Sequence, residues 1–389
     1  MKVVVVIPTY NERDNISKMI EALADEFPKI EKSLSHKMEL LVVDDTSPDK
    51  TYEVVRDYAK KYKWVHLLLN PKKEGLGKAY AKGFKYAMKE MNADYVMEFD
   101  GDFQHRPDEM HRLVEKIDEG YEYIIGSRYI PGGSIPKEWG FNRKFLSVVG
   151  NLIARVGLLR FGVHDLTTGF KLTKVKGVLD KVDLDHLYSN SFAYKLHILA
   201  ACLNNGAKVA EVPITFMART AGESKIIKNE MIESLKVIFL FQIHNPKILR
   251  FFKFATVGFI GYLINAGGLE VFYRLGLATA IAAALGAELA IISNFTLNNF
   301  WTFSERKITS VGKLIVKFLQ FNFTSLGAIL IQAVVVGVGT KLFGNQYRQI
   351  MLIIAVGFFV LPYNYAAYNI LIWKTWKIPG LGWLQKLVG

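Results

Sequence analysis

The chain has 389 residues, enough for two or three domains, and one cysteine, so it holds no intrachain disulfide framework. Its formal net charge of +13 is uneven: residues 248–389 carry 12 Lys/Arg and 3 Asp/Glu, a net +9, against +4 for the first 247 residues. The first part has the charge density of a soluble enzyme and no basic stripe, which argues against a nucleic-acid binder; the second keeps its few, mostly basic charges at segment ends, as chains do beside an anionic membrane surface.

In chain order, the first half alternates strand-like and helix-like pieces. Val3–Ile7 is a β-branched run, as expected of a strand buried on both faces. It is also too short for the apolar core of a signal peptide, so the N-terminal domain is expected to stay in the cytoplasm. Leu40–Val43, Val65–Leu69, Tyr95–Phe99 and Tyr123–Ile125 repeat the strand theme, with amphipathic stretches Ile16–Phe27, Thr51–Lys61 and Lys78–Met91 between them. This rhythm predicts a mostly parallel, Rossmann-like α/β sheet covered by helices. Polar groups follow several strands: Thr9 to Glu12, Asp44-Asp45, Asp100-Gly101-Asp102 and Ser127-Arg128. Ligands of open α/β sheets bind outside the carboxyl ends of the strands, where these residues fall. Cys202 reads as a small buried apolar residue.

Two segments then change character. Arg143–Phe161 places Phe145, Val148, Leu152, Ile153, Val156 and Leu159 at helical spacing with Arg143, Lys144, Arg155 and Arg160 off that stripe. It is either a basic amphipathic helix lying in a membrane interface or a core-facing helix of a soluble domain. Met231–Ile243 is similar and stops at Asn245-Pro246. Four apolar spans follow, Phe254–Tyr273, Ala278–Leu297, Phe318–Leu342 and Ile350–Trp373, each near the roughly 20 residues that cross a bilayer. The expected organisation is a domain over residues 1–230, a second interface helix and linker over 231–249, and an all-α transmembrane domain over 250–389. Basic residues alternate between linkers: Lys247, Arg250 and Lys253, then Arg306, Lys307, Lys313 and Lys317, then Lys374, Lys377 and Lys386. The positive-inside rule places both termini in the cytoplasm of a cell-membrane protein. Trp301, Trp373, Trp376 and Trp383 suit either an interfacial belt or ordinary packing. Glu270 and Glu288 lie inside spans, where an acid serves either function or helix–helix bonding.

Asp100-Gly101-Asp102 ends the fourth strand. Carboxylates at i and i+2 of an extended chain point the same way, and their repulsion is relieved by a shared cation. Hard divalent cations prefer oxygen ligands and bridge substrate phosphates, so the segment reads either as Mg²⁺ or Mn²⁺ on a diphosphate, with Gln104 as a neutral third oxygen and Gly101 admitting a close ligand, or, on its own, as one of the common surface Asp-Gly-Asp turns. A glycosidase pair must flank a bond from two sides, which this spacing does not allow unaided. Gly75-Leu76-Gly77-Lys78-Ala79 lacks the hydroxyl residue and leading glycine of a phosphate loop and opens a helix instead. Arg219 and Lys225 sit in a polar loop, RTAGESK, suited either to holding a leaving diphosphate or to an ordinary solvated turn.

Together VVIPTYNERDNI (5–16), VVDDTSPDKT (42–51), GLGKAYAKGF (75–84), DGDFQHRPDEM (100–110), IIGSRY (124–129) and DLTTGFKL (165–172) resemble the family-2 inverting glycosyltransferases of the GT-A fold. Within that family they are most similar to the polyprenyl-phosphate sugar synthases, the dolichol-phosphate mannose synthases above all, over roughly residues 1–230. The four-span tail resembles the membrane domain fused to some members.

The resemblance implies that Pro8, Tyr10, Glu12, Val43 and Asp45 line the nucleotide base and ribose. It implies that Asp100, Gly101, Asp102 and Gln104 form the metal and diphosphate site, and that Arg219 and Lys225 close over the phosphates. Arg128 would face the acceptor phosphate. Charge and position add Arg143 and Ser147 beside Arg128, and Lys195 at the phosphates or sugar. The implied partners are GDP-mannose, a polyprenyl (dolichyl) phosphate and the bilayer, with UDP-glucose as an alternative donor and a lipid-linked sugar flippase as an alternative of another class. Many inverting relatives use a carboxylate base near Asp165. A lipid monophosphate has a second pKa near ~6, by analogy with phosphoamino acids, and is already a nucleophile at neutral pH. No essential general base is therefore expected, and Asp165 is expected to orient the sugar or hold a loop.

Overall fold

The structure, a computed structural model, describes residues 1–218 and 228–376. The chain divides into two compact units, Met1–Gln242 and Ile243–Gly389.

The first unit is built on a seven-stranded sheet of order β3-β2-β1-β4-β6-β5-β7. The strands are β1 (Lys2–Thr9), β2 (Lys37–Asp44), β3 (Val65–Leu69), β4 (Tyr95–Glu98), β5 (Tyr123–Ser127), β6 (Lys171–Lys174) and β7 (Val209–Pro213). β3, β2, β1 and β4 run parallel, β6 is antiparallel to both β4 and β5, and β5 is parallel to β7. The double reversal through β6 returns β5 to the direction of β4. The carboxyl ends of β1, β2, β4 and β5 therefore share one edge.

Helices α1 (Arg13–Leu34), α2 (Thr51–Lys61), α3 (Leu76–Lys89), α4 (Met110–Asp118), α5 (Phe141–Gly157), α6 (Tyr194–Asn204) and α7 (Lys228–Ile243) surround the sheet. Both faces of β1 are buried because its side chains alternate between two apolar layers. Val4 and Val6 pack toward Tyr80, Phe84 and Tyr194, whereas Val3, Val5 and Ile7 pack toward Ile16, Ile20 and Leu113. α3 starts at Leu76, just after Gly75, whose φ of +105° is open to glycine and strained for other residues.

The apolar stripe of α5 is not turned into a core. Phe145, Val148, Leu152, Ile153 and Val156 are exposed, while Asn151, Ala154 and Leu158 face inward. On α7, Val237 and Ile238 are buried and Met231, Ile232, Leu235 and Phe239 are exposed.

The second unit contains α8 (Pro246–Arg274), α9 (Thr279–Leu297), α10 (Val311–Phe343), α11 (Arg348–Ile354) and α12 (Leu361–Ala367). Wider π-helical stretches follow α9 at Asn298–Thr302, separate α11 from α12 at Ala355–Val360, and follow α12 at Tyr368–Ile372. They combine into four helices long and apolar enough to cross a membrane: Pro246–Arg274, Thr279–Thr302, Val311–Phe343 and Asn345–Ile372. The first and third begin well before their apolar runs. The Asn245 side chain accepts from the Lys247 amide at 3.0 Å and Pro246 occupies the first turn, so the cap and not hydropathy sets the start of α8.

Trp373 is packing rather than a belt residue: it stacks on Phe303 with centroids 4.2 Å apart and is 3% exposed. Glu270 pairs along its own helix with Arg274 at 2.6 Å.

Candidate active site

The loops at the shared strand edge enclose a cleft of about 290 Å³. Pro8, Tyr10 and Glu12 come from the end of β1, Asp45 from β2, Asp100, Asp102 and Gln104 from β4, Arg128 from β5 and Lys195 from α6. Of the cleft residues expected from the sequence, the structure thus brings nine to one place. Val43 is a correction. Its side chain is fully buried in the core, packed between the sheet and Gly83 of α3, whereas Asp45 lies just past the end of β2 where the cleft opens. Gly101 does not line the cleft; it packs over Ile7. Arg219 and Lys225 lie outside the described residues.

The two neighbouring aspartates of β2 have separate tasks. Asp44 is spent on the fold, accepting from Thr9 Oγ1 at 2.8 Å, Ser47 N at 2.8 Å and Ser47 Oγ at 2.7 Å. Asp45 accepts from Asn70 Nδ2 at 2.7 Å, faces the cleft, and has its pKa pushed up by burial. Across the opening, the Lys73 ammonium lies 3.6 Å above the Tyr10 ring, a cation–π contact at the rim.

The turn after β4 presents the acids. Phe103 takes φ +59°, an uncommon left-handed conformation outside glycine, and the Gln104 amide donates to Asp102 Oδ1 at 3.1 Å. This tight turn keeps Asp100, Asp102 and Gln104 on one wall. Tyr80 donates to Asp100 Oδ1 at 3.0 Å and Lys195 Nζ lies 3.6 Å from Asp100 Oδ2. Burial alone would raise the Asp100 pKa, but Lys195 and the tyrosine hydroxyl outweigh it and hold the carboxyl below its ordinary value. Gly169 permits this arrangement, because a Cβ there would collide with both Lys195 Nζ and the Asp100 carboxylate.

The donor set is hard: two carboxylates and a carboxamide. No group of three His, Cys, Asp or Glu gathers among the described residues. Such a set suits a divalent cation that completes its shell with substrate phosphates and water, and it fits Mg²⁺ or Mn²⁺.

At the far side, Arg128 is fixed by Asp165. Nε donates to Oδ2 at 2.7 Å, Nη2 to Oδ1 at 2.9 Å, and the Arg128 amide to Oδ2 at 3.1 Å. Asp165 is wholly buried and also accepts from the amides of Thr167 and Thr168, both at 3.2 Å. Burial pushes its pKa up, yet Arg128 and these bonds hold it below the usual carboxylate range.

Arg128 also borders a second cavity, an apolar groove of about 460 Å³ between α5 and α7. Arg143 and Ser147 line this groove and not the cleft. Arg143 lies 4.0 Å over the Trp139 ring, and Ser147 Oγ is 2.6 Å from Tyr129 Oη. Gln104, Arg128, Thr167 and Phe216 border both cavities.

Sequence reasoning missed Tyr80, His105, Thr167, Gly169 and Phe216 as cleft or support residues. His105 is buried among Phe99, Phe170 and Phe216, and burial lowers its pKa to about 3. Its place in DGDFQH and that of Thr167 and Gly169 in DLTTGFKL were the available signals.

Residues 4–178 match the family model described as Glycosyl transferase family 2, and residues 253–373 match GtrA/DPMS, transmembrane domain. The Dolichol-phosphate mannosyltransferase of Pyrococcus furiosus is 34% identical over 337 residues, 86% of this chain and 90% of that protein. The chain belongs to glycosyl transferase family 2. It is a glycosyltransferase with a GT-A-like catalytic unit and an integral membrane unit of four helices. The transferase is also 35% identical to the Polyprenol monophosphomannose synthase of Mycolicibacterium smegmatis, covering 60% of this chain and 84% of that one. It is 34% identical to the Undecaprenyl-phosphate mannosyltransferase of Micrococcus luteus, covering 58% and 88%.

Proposed function

We propose that this transferase moves mannose from GDP-mannose to the phosphate of dolichol or another polyprenyl phosphate, with inversion, giving a lipid-phosphate-mannose and GDP. The observation carrying this reading is the junction at Arg128. One buried guanidinium borders both a polar, carboxylate-bearing cleft and an apolar groove. A donor diphosphate fits the first, a prenyl chain fits the second, and an acceptor phosphate fits between them. The three curated relatives, all named for mannose transfer or synthesis on polyprenyl-type lipids, support the donor sugar and the acceptor class.

Asp45, Tyr10 and Glu12 would hold the nucleoside end of the donor. Asp100, Asp102 and Gln104 would hold Mg²⁺ or Mn²⁺, which when bound would neutralise the donor diphosphate. Lys195 adds a positive charge beside them, and Arg219 and Lys225 would close over the same phosphates. Arg128, with Arg143 and Ser147 along the groove, would steer the acceptor phosphate. An acceptor oxygen attacks the anomeric carbon from the face opposite the diphosphate. A new C–O bond forms, the bond to the β-phosphate oxygen breaks, and GDP leaves with the electron pair. No proton needs to move, because a phosphate monoester is largely dianionic at neutral pH. Asp165 supports that economy, since a carboxylate saturated by Arg128 and backbone amides is poorly placed to accept a proton. The work left to the protein is alignment and charge compensation between two anions.

The exposed apolar faces of α5 and α7 would lie in the bilayer interface, with Lys144 and Arg155 toward headgroups, and would place the groove mouth at the lipid. Both chain termini and the catalytic unit would be cytoplasmic.

A charge placed in the groove tests this reading. Leu235→Asp should raise KM for a long polyprenyl phosphate by about tenfold or more and leave KM for GDP-mannose unchanged, since burying a carboxylate against a prenyl chain costs well over ~1 kcal/mol. Equal turnover of long acceptors by the variant would contradict the placement of the lipid.

A further inference from the structure

The membrane unit contains a cavity of its own, about 490 Å³, within the size range of small-molecule sites. Among the described residues, no charged side chain lines it. Three carboxamides do: Asn294 and Asn298 from the end of α9 and Asn364 from α12. The side-chain oxygens of all three are buried and accept no hydrogen bond among the described residues. Asn298 is 2% exposed in total. A buried amide oxygen left unbonded is costly, and three around one cavity are more than neglect of packing explains.

The backbone is shaped around the same place. Asn294 and Asn298 are one helical turn apart and so share a face. Asn298 opens the π-helical stretch Asn298–Thr302, and Val356, Gly357 and Val360 of the π-helical stretch Ala355–Val360 form another part of the wall. Widened turns of this kind occur mostly where a helix serves a site. Gly261 of α8 makes room for the Asn294 amide, with which a Cβ at that position would collide. Aromatic rings, among them Phe254, Phe321 and Tyr368, make up much of the remaining wall, and Tyr368 Oη lies 3.3 Å from Ser325 Oγ.

We propose that this cavity is a second binding site, for the uncharged, hydroxyl-rich headgroup of a glycosylated lipid. Sugar hydroxyls would donate to the three amide oxygens, and the C–H faces of the pyranose would rest on the aromatic rings. The absence of cationic lining argues against a phosphate in the cavity, so the lipid's phosphate stays outside it and only the sugar enters. The identification of that sugar as mannose rests on the function proposed above. The site itself rests on the amides.

The experiment uses the full chain in lipid nanodiscs and a synthetic mannosyl-phosphoryl polyprenol bearing a diazirine on the mannose. After irradiation, labelled peptides are mapped, with excess unmodified mannosyl lipid or excess bare polyprenyl phosphate as competitor. The expected result is label in two places, one within residues 1–242 and one in peptides holding Asn294, Asn298 or Asn364. Mannosyl lipid should displace the second label and bare polyprenyl phosphate should not. Asn298→Leu and Asn364→Leu should each lower the second label about tenfold or more and leave the first unchanged. Label confined to residues 1–242 would overturn the proposal, with ordered water then satisfying the amides. Equal displacement by bare polyprenyl phosphate would overturn it too, as would full labelling of folded Asn298→Leu. If either variant fails to fold, the wild-type map and its competition decide alone. Because the probe is supplied ready-made, a failure here leaves the transfer reaction untouched, and a failure to synthesise mannosyl lipid leaves this site untouched.

Discussion

Arg128 turns the Nε–Nη2 edge of its guanidinium to Asp165, with Nε to Oδ2 at 2.7 Å and Nη2 to Oδ1 at 2.9 Å. A two-point ion pair this buried, with Nη2 also donating to Thr167 Oγ1 at 2.8 Å, fixes the plane of the guanidinium, and Nη1 makes no hydrogen bond among the described residues. The rigid pair suits the proposed role of Arg128, which would meet the acceptor anion without collapsing onto Asp100 and Asp102.

Asp165→Asn should therefore act on placement. We expect KM for the lipid phosphate to rise more than about tenfold, since removing one partner of a buried pair costs roughly 3–5 kcal/mol. The acid limb of the pH–rate profile should stay near ~6, where the acceptor phosphate titrates. Steady-state kinetics across pH measures both, and disappearance of that limb would mark Asp165 as a base. The sign for stability follows from its depressed pKa. The contribution is complete above about pH 4, the unfolded value, and is lost as pH falls through the lower folded value. Denaturant midpoints of the wild type and Asp165→Asn should then converge as pH falls below about 4.

Gly169→Ala should separate Lys195 from Asp100, because the new methyl occupies the space both use. Misplacement of about 1 Å at such a site can cost on the order of 10²-fold. We expect kcat/KM for GDP-mannose to fall by that order, with little change in KM for the lipid. Unchanged donor kinetics would show that the contact between Lys195 and Asp100 is dispensable.

Much of this site was legible in the sequence, for a physical reason. Asp100, Asp102 and Gln104 follow a buried strand, and the ends of parallel strands are where open sheets bind ligands. β1 to β5 announced themselves through their apolar runs. β6 did not, because Lys171-Leu172-Thr173-Lys174 is short and mostly polar and buries Lys171 opposite Glu98 in the ladder. Without β6 the mostly parallel sheet expected from the pattern lacks a named antiparallel member. Val43 was misassigned because it still lies inside β2, covered by α3, whereas Asp45 lies past the strand's end. Tyr80, Gly169 and the Arg128–Asp165 pair act through contacts 20 or more residues apart in the chain, which no local pattern encodes.

The Lys171–Glu98 pair carries its own expectation. Burial lowers the Lys171 pKa to about 8 and raises that of Glu98, while Glu98 Oε2 accepts from Tyr194 Oη at 2.8 Å. For a lysine depressed in this way, the cost of burying its charge is complete below about pH 8 and fades toward the unfolded value near ~10.4. Lys171→Met alone should destabilise the catalytic unit by roughly 1–3 kcal/mol at pH 7, because it removes the Nζ donor to the Leu166 carbonyl and one of the two positive charges near Glu98, and adding Glu98→Gln should recover part of that loss. Denaturant unfolding of the four proteins in that cycle measures the coupling, and additive effects would show that the two groups do not interact.

The central claim is transfer of mannose to a lipid phosphate at the Arg128 junction. Its most direct measurement uses purified full-length protein, a polyprenyl phosphate, Mg²⁺ or Mn²⁺, and labelled GDP-mannose or UDP-glucose in parallel. Label entering the organic phase is followed, with chelator and folded Asp102→Ala as controls. The account predicts mannosyl lipid from GDP-mannose, lost with chelator and reduced at least about 100-fold in Asp102→Ala. Label from UDP-glucose alone would contradict the donor, and no lipid product from either donor would contradict the transfer itself.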